Sequence, residues 1–232
     1  MDLDTKIICW DLDNTLGEFS GIISEMSIER EMGRLVNPFA SVSLRKGIRE
    51  TLEILSQTGF VHYVTSNNPI EYINKAVERA GLKSYFKDTF AYDPVKHAGF
   101  GKLYRQVAER HNFNDEDARA RMVIIGDASQ DQPADLSGVV FLHDPSGPYT
   151  PSEVLQQAIY RLLEAGNNNF NAGFDALHGN SLSLSDGINL RFDYKLNPVS
   201  PGIIVPTVTI DIDKGVYFQL RRSGLDLISP RK

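Results

Sequence analysis

The sequence predicts an α/β protein: a Rossmann-like, mainly parallel sheet with helices on both faces, followed by an antiparallel β-rich C-terminal extension. Three observations predict it. Apolar runs of strand length alternate with helical stretches from Lys6 to Ala165, the pattern of a parallel sheet built from βαβ units. The first run, Ile7-Ile8-Cys9-Trp10, is apolar throughout and bounded by polar residues, as a buried strand is. Beyond Gly166 the composition turns to glycine and asparagine, and then to extended runs. The expected division is a core unit over 1–165 and a β-rich extension over 166–232.

The first strand ends abruptly in Asp11-Leu12-Asp13-Asn14-Thr15-Leu16. Ligands of open α/β sheets sit beyond the carboxyl ends of the strands. Asp11 is therefore expected at the mouth of a cleft and Asp13 on the turn beyond it. Two carboxylates this close repel each other unless a cation or a shared proton relieves them. A hard cation with oxygen ligands, Mg2+, is the expected partner.

Next, Ile22, Ile23, Met26 and Ile28 suggest a short amphipathic piece, broken at Asn37-Pro38. Ser43 reads as an N-cap. Ile48, Leu52 and Leu55 then fall at helical spacing as far as Gly59. Phe60 to Val64 reads as the second strand, closed by Thr65-Ser66-Asn67-Asn68-Pro69, and a helix follows to Ala80 with Gly81 as its stop. Phe86 to Tyr92 reads as a strand. Gly99 to Lys102 leads into a helix with Leu103, Val107 and Ala108 on one face. Met122 to Ile125 and Val139 to Leu142 read as strands, the first followed by Gly126-Asp127-Ala128-Ser129-Gln130-Asp131. Thr150-Pro151-Ser152-Glu153 reads as a capping box that opens a helix to Ala165. In the tail, Ile188 to Leu196, Ile203 to Ile212 and Val216 to Leu220 read as extended, with a tight turn at Asp213-Lys214-Gly215. Three strands alone are marginal, so the tail is expected to pack as a meander on the main sheet.

Composition narrows the function. Hydrophobic content is 41% and the formal net charge is -6. The charge argues against generic binding to nucleic acid or to an anionic membrane. The single cysteine, Cys9, allows no intrachain disulfide and reads as a small buried hydrophobe. No apolar run approaches the length of a membrane span, and the acidic start lacks the apolar stretch of a secretory signal. A cytoplasmic protein is expected.

The chemistry gathers just past the strands. Asp11 and Asp13 follow the first, and Thr65, Ser66 and Asn67 follow the second. Asp127 and Asp131 follow a later one, and Lys102 lies at a helix start. Carboxylates for a cation, a hydroxyl and amide for an anion, and a fixed positive charge suit phosphoryl transfer.

With these residues in place, the sequence resembles the haloacid dehalogenase (HAD) superfamily. Asp11-Leu12-Asp13-Asn14-Thr15 matches its Asp-x-Asp-x-Thr motif, and Val64-Thr65-Ser66-Asn67 matches its second, a strand ending in Thr or Ser. Lys102, with Lys96 as a rival, matches the third. Gly126-Asp127-x-x-x-Asp131 matches the fourth. The resemblance implies a Mg2+-dependent phosphatase in which Asp11 is the nucleophile and forms an aspartyl-phosphate. Asp13 would protonate the leaving oxygen and then activate water. It implies Mg2+ held by Asp11, the backbone carbonyl of Asp13, and Asp127, with Asp131 supporting the site. Thr65 or Ser66, with Asn67 and Lys102, would hold the phosphoryl group. An acid at Asp13 favours a phosphatase or phosphotransferase over a dehalogenase.

The spans Leu16 to Ser43 and Asn68 to Lys102 leave little room for a large cap, so the resemblance is to the capless or minimally capped kind. The tail is expected to shield the open cleft or to make a homo-oligomer contact. The substrate is expected to be phosphorylated, of unstated class. A phosphotransferase or acyl-carrier loading enzyme on the same fold is the alternative, and a non-catalytic scaffold is another.

Overall fold

A computed structural model describes residues 5–23, 25–26, 42–91, 104–223 and 225–228. The central strands are β1 (Lys6–Asp11), β4 (Phe60–Ser66), β5 (Phe86–Ala91), β6 (Met122–Gly126) and β7 (Val140–His143). All pair in parallel. Three tail strands, β8 (Ser181–Ser185), β9 (Ile188–Leu196) and β10 (Ile204–Ile212), extend the same sheet. Its order is β5-β4-β1-β6-β7-β10-β9-β8. β10 runs parallel to β7, while β9 and β8 return antiparallel. The chain thus has the expected Rossmann-like sheet with an antiparallel β-rich C-terminal part. The tail strands join the sheet edge to edge, through β10 on β7.

Helices cover both faces. On one lie α1 (Ile48–Gln57), α2 (Ile70–Arg79), α5 (Ser152–Ala165) and α6 (Phe170–Leu177), whose Leu52, Ile73, Leu155 and Phe174 pack with Ile8 and Trp10 of β1. On the other lie α3 (Tyr104–Arg110) and α4 (Asp115–Arg121), whose Val107 and Ala118 pack with Ile7 and Cys9. A strand side chain alternates between faces, so a strand covered on both must be apolar at every position. Hence the unbroken run in β1.

A smaller sheet sits beside the carboxyl edge. Its strands are β2 (Gly17–Glu18), β3 (Val42–Leu44) and β11 (Asp226–Ile228), in the order β11-β3-β2. The end of the tail therefore returns to the turn that follows β1.

Several expectations are corrected. Ser43 is no N-cap but the middle of β3; α1 begins after Gly47, which takes φ +75. The capping box at Thr150–Glu153 does not form. Pro151 is the N-cap of α5, without a side-chain bond, and the Thr150 hydroxyl donates to Asp144 Oδ1 at 3.0 Å. Val216 to Leu220, expected as a strand after a turn, is part of helix α7 (Lys214–Ser223). Val216 and Leu220, four apart, both pack against the main core, a spacing that fits one helical face. The glycine- and asparagine-rich segment after Gly166 contains α6, capped by Asn169, whose side chain accepts from the Ala172 amide at 3.0 Å. β8 and α4 were also without an expectation. Ile28 and Leu103 lie outside the described residues.

Gly173 explains how α6 can lie against α5. A Cβ there would come 1.8 Å from the Leu162 carbonyl oxygen, an impossible contact. Gly173→Ala should therefore cost about 3 kcal/mol through overpacking and lower the Tm by roughly 5–10 °C. Calorimetry checks this, and an unchanged Tm would contradict the packing described.

Candidate active site

The parallel register sets the site. Asp11, last in β1, lies opposite Thr65 of β4, and Trp10 lies opposite Ile125 of β6. Asp127 follows β6 by one residue, so it reaches the same edge as Asp11. Asp131 comes back on the single 3-10 turn Ser129–Asp131. Its carboxylate tucks over Gly126, where a Cβ would meet Asp131 Oδ2 at 2.6 Å, and accepts from the Ala128 amide at 3.2 Å. One carboxylate oxygen from each of Asp11, Asp127 and Asp131 falls within 4.8 Å of the others. Asp11 and Asp131 are buried, 6% and 4% exposed, and Asp127 is half-buried.

The turn after β1 is tightly tied. Asn14 adopts φ +60, its amide donates to the Gly17 carbonyl at 2.8 Å, and Leu16 N bonds Leu12 O at 3.0 Å. Gly17 is required by crowding, because a Cβ would sit 2.2 Å from the Ser43 carbonyl. The Thr15 hydroxyl faces Asp11 Oδ2 at 3.2 Å and Asp127 Oδ1 at 3.5 Å, linking two strand ends.

Asp13 stands apart from the triad. Its Oδ2 accepts from Asn68 Nδ2 at 2.9 Å and its Oδ1 from the Tyr72 hydroxyl at 2.5 Å. Burial first, then the bond to Asp13, pushes the Tyr72 hydroxyl up, so it stays protonated. Of the two candidate hydroxyls, Thr65 is fully buried and donates to the Trp10 carbonyl at 3.4 Å. Ser66 Oγ instead accepts from the Asn68 amide at 3.3 Å. Asn67 is exposed. Lys102 and Lys96 lie outside the described residues.

Other groups frame the triad. His143 Nε2 is 3.1 Å from the Asp127 carbonyl; a carbonyl only accepts, so that nitrogen carries the proton. Burial, then the nearby Lys195 ammonium, holds this imidazole below its ordinary value and keeps it neutral near pH 7. Tyr104, in α3, donates to the Asp131 carbonyl at 2.8 Å. Cys9 is fully buried, and desolvation raises its thiol, so it is no nucleophile.

Sequence reasoning missed Arg45. It is fully buried, and its guanidinium donates to the Thr15 carbonyl at 2.6 Å and the Asn14 carbonyl at 3.4 Å. It also pairs with buried Asp144 at 2.6 Å and donates to the Thr150 carbonyl at 3.0 Å. A lone arginine between a three-residue strand and a helix carries no local signal of that role.

Three carboxylate oxygens within 4.8 Å form an oxygen-only donor set, which fits a hard divalent cation such as Mg2+. The family model of the haloacid dehalogenase-like hydrolases matches residues 23–139, half of the chain. The chain belongs to this family. No curated protein matches the sequence. Among solved structures, a haloacid dehalogenase-like hydrolase of Streptococcus pneumoniae is 18% identical, with 67% of this chain and 99% of that one covered and a TM-score of 0.49. A predicted phosphatase from Clostridium acetobutylicum is 18% identical over 66% of this chain and 90% of its own, with a TM-score of 0.48. A HAD-superfamily hydrolase from Ehrlichia chaffeensis is 15% identical over 68% and 97%, with a TM-score of 0.46. Among the described residues, no helix of this HAD-type chain is long and apolar enough to cross a membrane.

Removing one partner of a buried ion pair leaves an uncompensated charge, which costs about 3–5 kcal/mol. Arg45→Met should lose that much stability in urea unfolding, because it strands Asp144 and two carbonyls of the Asp-x-Asp-x-Thr turn. A loss under about 1 kcal/mol would mean that the pair is solvated.

Proposed function

We propose that this HAD-family hydrolase is a Mg2+-dependent phosphatase that hydrolyses a phosphate monoester through an aspartyl-phosphate on Asp11. The observation that carries the reading is the compact triad of Asp11, Asp127 and Asp131, with a separately held carboxylate, Asp13, beside it. Like charges this close need a cation, and a carboxylate held outside the cluster suits proton transfer. Asp11, Asp127 and Asp131, with the Asp13 carbonyl, would hold Mg2+. When bound, that ion neutralises phosphoryl oxygens and screens them from the attacking carboxylate.

Asp11 attacks phosphorus in line and splits one slow hydrolysis into two displacements. Asp13 gives its proton to the leaving oxygen, then takes one from the water that releases phosphate. Ser66 is the reading favoured for the phosphoryl-binding hydroxyl, because Thr65 is already directed at the Trp10 carbonyl. Asn67 and Lys102 are assigned to the same oxygens. We assign the tail to one wall of the open cleft. α7 packs on residues 147–149, where Tyr217 meets Tyr149 edge-on and Arg221 stacks over that ring, while the Tyr149 hydroxyl donates to Glu18 of β2 at 2.9 Å.

Asp11→Asn should abolish phosphate release from p-nitrophenyl phosphate, and EDTA should silence the wild type until Mg2+ is restored. Ordinary turnover in either case refutes the mechanism, and loss of ester without phosphate release would indicate transfer to another acceptor. Independently of turnover, Mg2+ should raise the Tm of the wild type but not of Asp127→Asn, which scanning fluorimetry reads. Ser66→Ala should lower kcat/KM by about 100-fold through loss of an oxyanion donor, whereas Thr65→Ala should cost far less. The reverse order would return the role to Thr65.

A further inference from the structure

Two side chains of the β4–α2 corner grip Asp13. Asn68 holds Oδ2 at 2.9 Å and Tyr72 holds Oδ1 at 2.5 Å. Neither donor is loose. The Asn68 backbone amide is tied to Ser66 Oγ at 3.3 Å, and its side-chain nitrogen lies 3.4 Å from the same oxygen. Tyr72 is 2% exposed, and its ring belongs to the core that α2 shares with β1. An aspartate has only two rotatable side-chain bonds, so contacts on both oxygens fix both.

The two donors differ in kind. An amide NH2 only donates, whereas a phenol hydroxyl both donates and accepts. Asn68 therefore donates to Oδ2 whether Asp13 is ionised or not. Tyr72 donates to Oδ1 when Asp13 is a carboxylate, and can accept from it when Asp13 is an acid. Each contact takes one lone pair, so together they fix the orientation of the carboxyl group and leave it room for a transferred proton.

Resting on the phosphatase reading above, we infer that Asn68 and Tyr72 are positioning residues for Asp13, setting the orientation in which its carboxyl group meets the leaving group and the water. In the first displacement an Asp11 oxygen bonds to phosphorus, the phosphorus–oxygen bond to the leaving group breaks, and the proton on the Asp13 carboxyl passes to that leaving oxygen. In the second, the water oxygen bonds to phosphorus, the bond to Asp11 breaks, and the Asp13 carboxylate takes the water proton. Tyr72 acts on proton transfer alone, whereas Asn68 also meets Ser66 Oγ.

Leaving groups of graded basicity test this. An alkoxide leaves badly without a proton, whereas 2,4-dinitrophenolate leaves without help, so a general-acid defect shows only with the first. Tyr72→Phe, which keeps the buried ring, should lower kcat/KM on an alkyl phosphate by about 10-fold, against the 10²–10⁴-fold worth of a positioned acid. For 2,4-dinitrophenyl phosphate kcat/KM should be nearly unchanged, because that ratio reports the first displacement, whereas kcat also contains the water step that both esters share. Inhibition of Tyr72→Phe by inorganic phosphate should stay within about twofold of the wild type. Asn68→Ala should show the same leaving-group dependence of kcat/KM, and Asp13→Asn a steeper version of it, with kcat of Asp13→Asn falling on both esters because the water step loses its base. A uniform loss of kcat/KM on both esters, or a change confined to phosphate inhibition, would make the two residues merely structural and overturn the inference, as would no loss at all. If instead the wild type released no phosphate from either ester, the phosphatase reading itself would fall. A Tm of Tyr72→Phe matching the wild type confirms that the fold is intact.

Discussion

Three carboxylates held within 4.8 Å are the constraint to which the rest of the structure answers. At an effective dielectric constant of 20, two unit charges that far apart repel by about 3–4 kcal/mol. Nothing in a flexible chain would keep them together. The parallel ladder does: Trp10 opposite Ile125 leaves Asp11 and Asp127 at one height, and the turn over Gly126 folds Asp131 back between them. The stabilisation comes from elsewhere, from central strands apolar on both faces and helices packed on each. The site is a patch of like charge on a stable frame, one whose repulsion a hard cation would relieve.

The turn that carries Asp11 to Asp13 needs its own support, since it lies beyond the ladder. Arg45 supplies it from below. One guanidinium satisfies the Asn14 and Thr15 carbonyls on one side and Asp144 with the Thr150 carbonyl on the other. A planar fork of five donors suits this task, and a lysine could not serve so many acceptors in fixed directions. Burying the ion pair is costly in itself. Its return is geometric, because it joins the loop after β7 to the loop after β1 and so fixes Thr15 between Asp11 and Asp127.

The parts legible in the sequence are those dictated by local pattern. β1, β6 and β7 are legible because burial on both faces demands unbroken apolar runs, and β4 because its run is broken only by His62, a buried side chain that accepts from Trp10 Nε1 at 3.0 Å. The acids announced themselves because they follow those runs directly. What escaped was set by partners distant in sequence. Val216–Leu220 is too short for its period to be read. Ser43 and Thr150 looked like helix caps by type, yet β3 pairing claims the first and Asp144 the second. Asn68 and Tyr72 were passed over for the same reason. An asparagine before a proline and a tyrosine on an amphipathic helix have ordinary local readings, and their meaning lies in Asp13, 55 and 59 residues away.

The tail enters the same chain of contacts. β11 pairs with β3, with Asp226 opposite Leu44, and the Asp226 carboxylate accepts from the Gly47 amide at 3.3 Å. Arg45 lies between those two positions. The segment whose strand is completed by the C-terminal residues is therefore the segment that aims the guanidinium at Asn14 and Thr15. A three-residue strand is weakly held on its own, and β2 offers β3 only two residues of pairing. β3 is ordered by β11 on one edge, by β2 on the other, by Val42 and Leu44 buried in the core, and by the ion pair of Arg45 just after it. The tail thus stands two contacts from the turn after β1: through β3 to Arg45, and through Arg45 to the Asn14 and Thr15 carbonyls. The C-terminal extension is in this way drawn into the support of the turn that carries Asp11-x-Asp13.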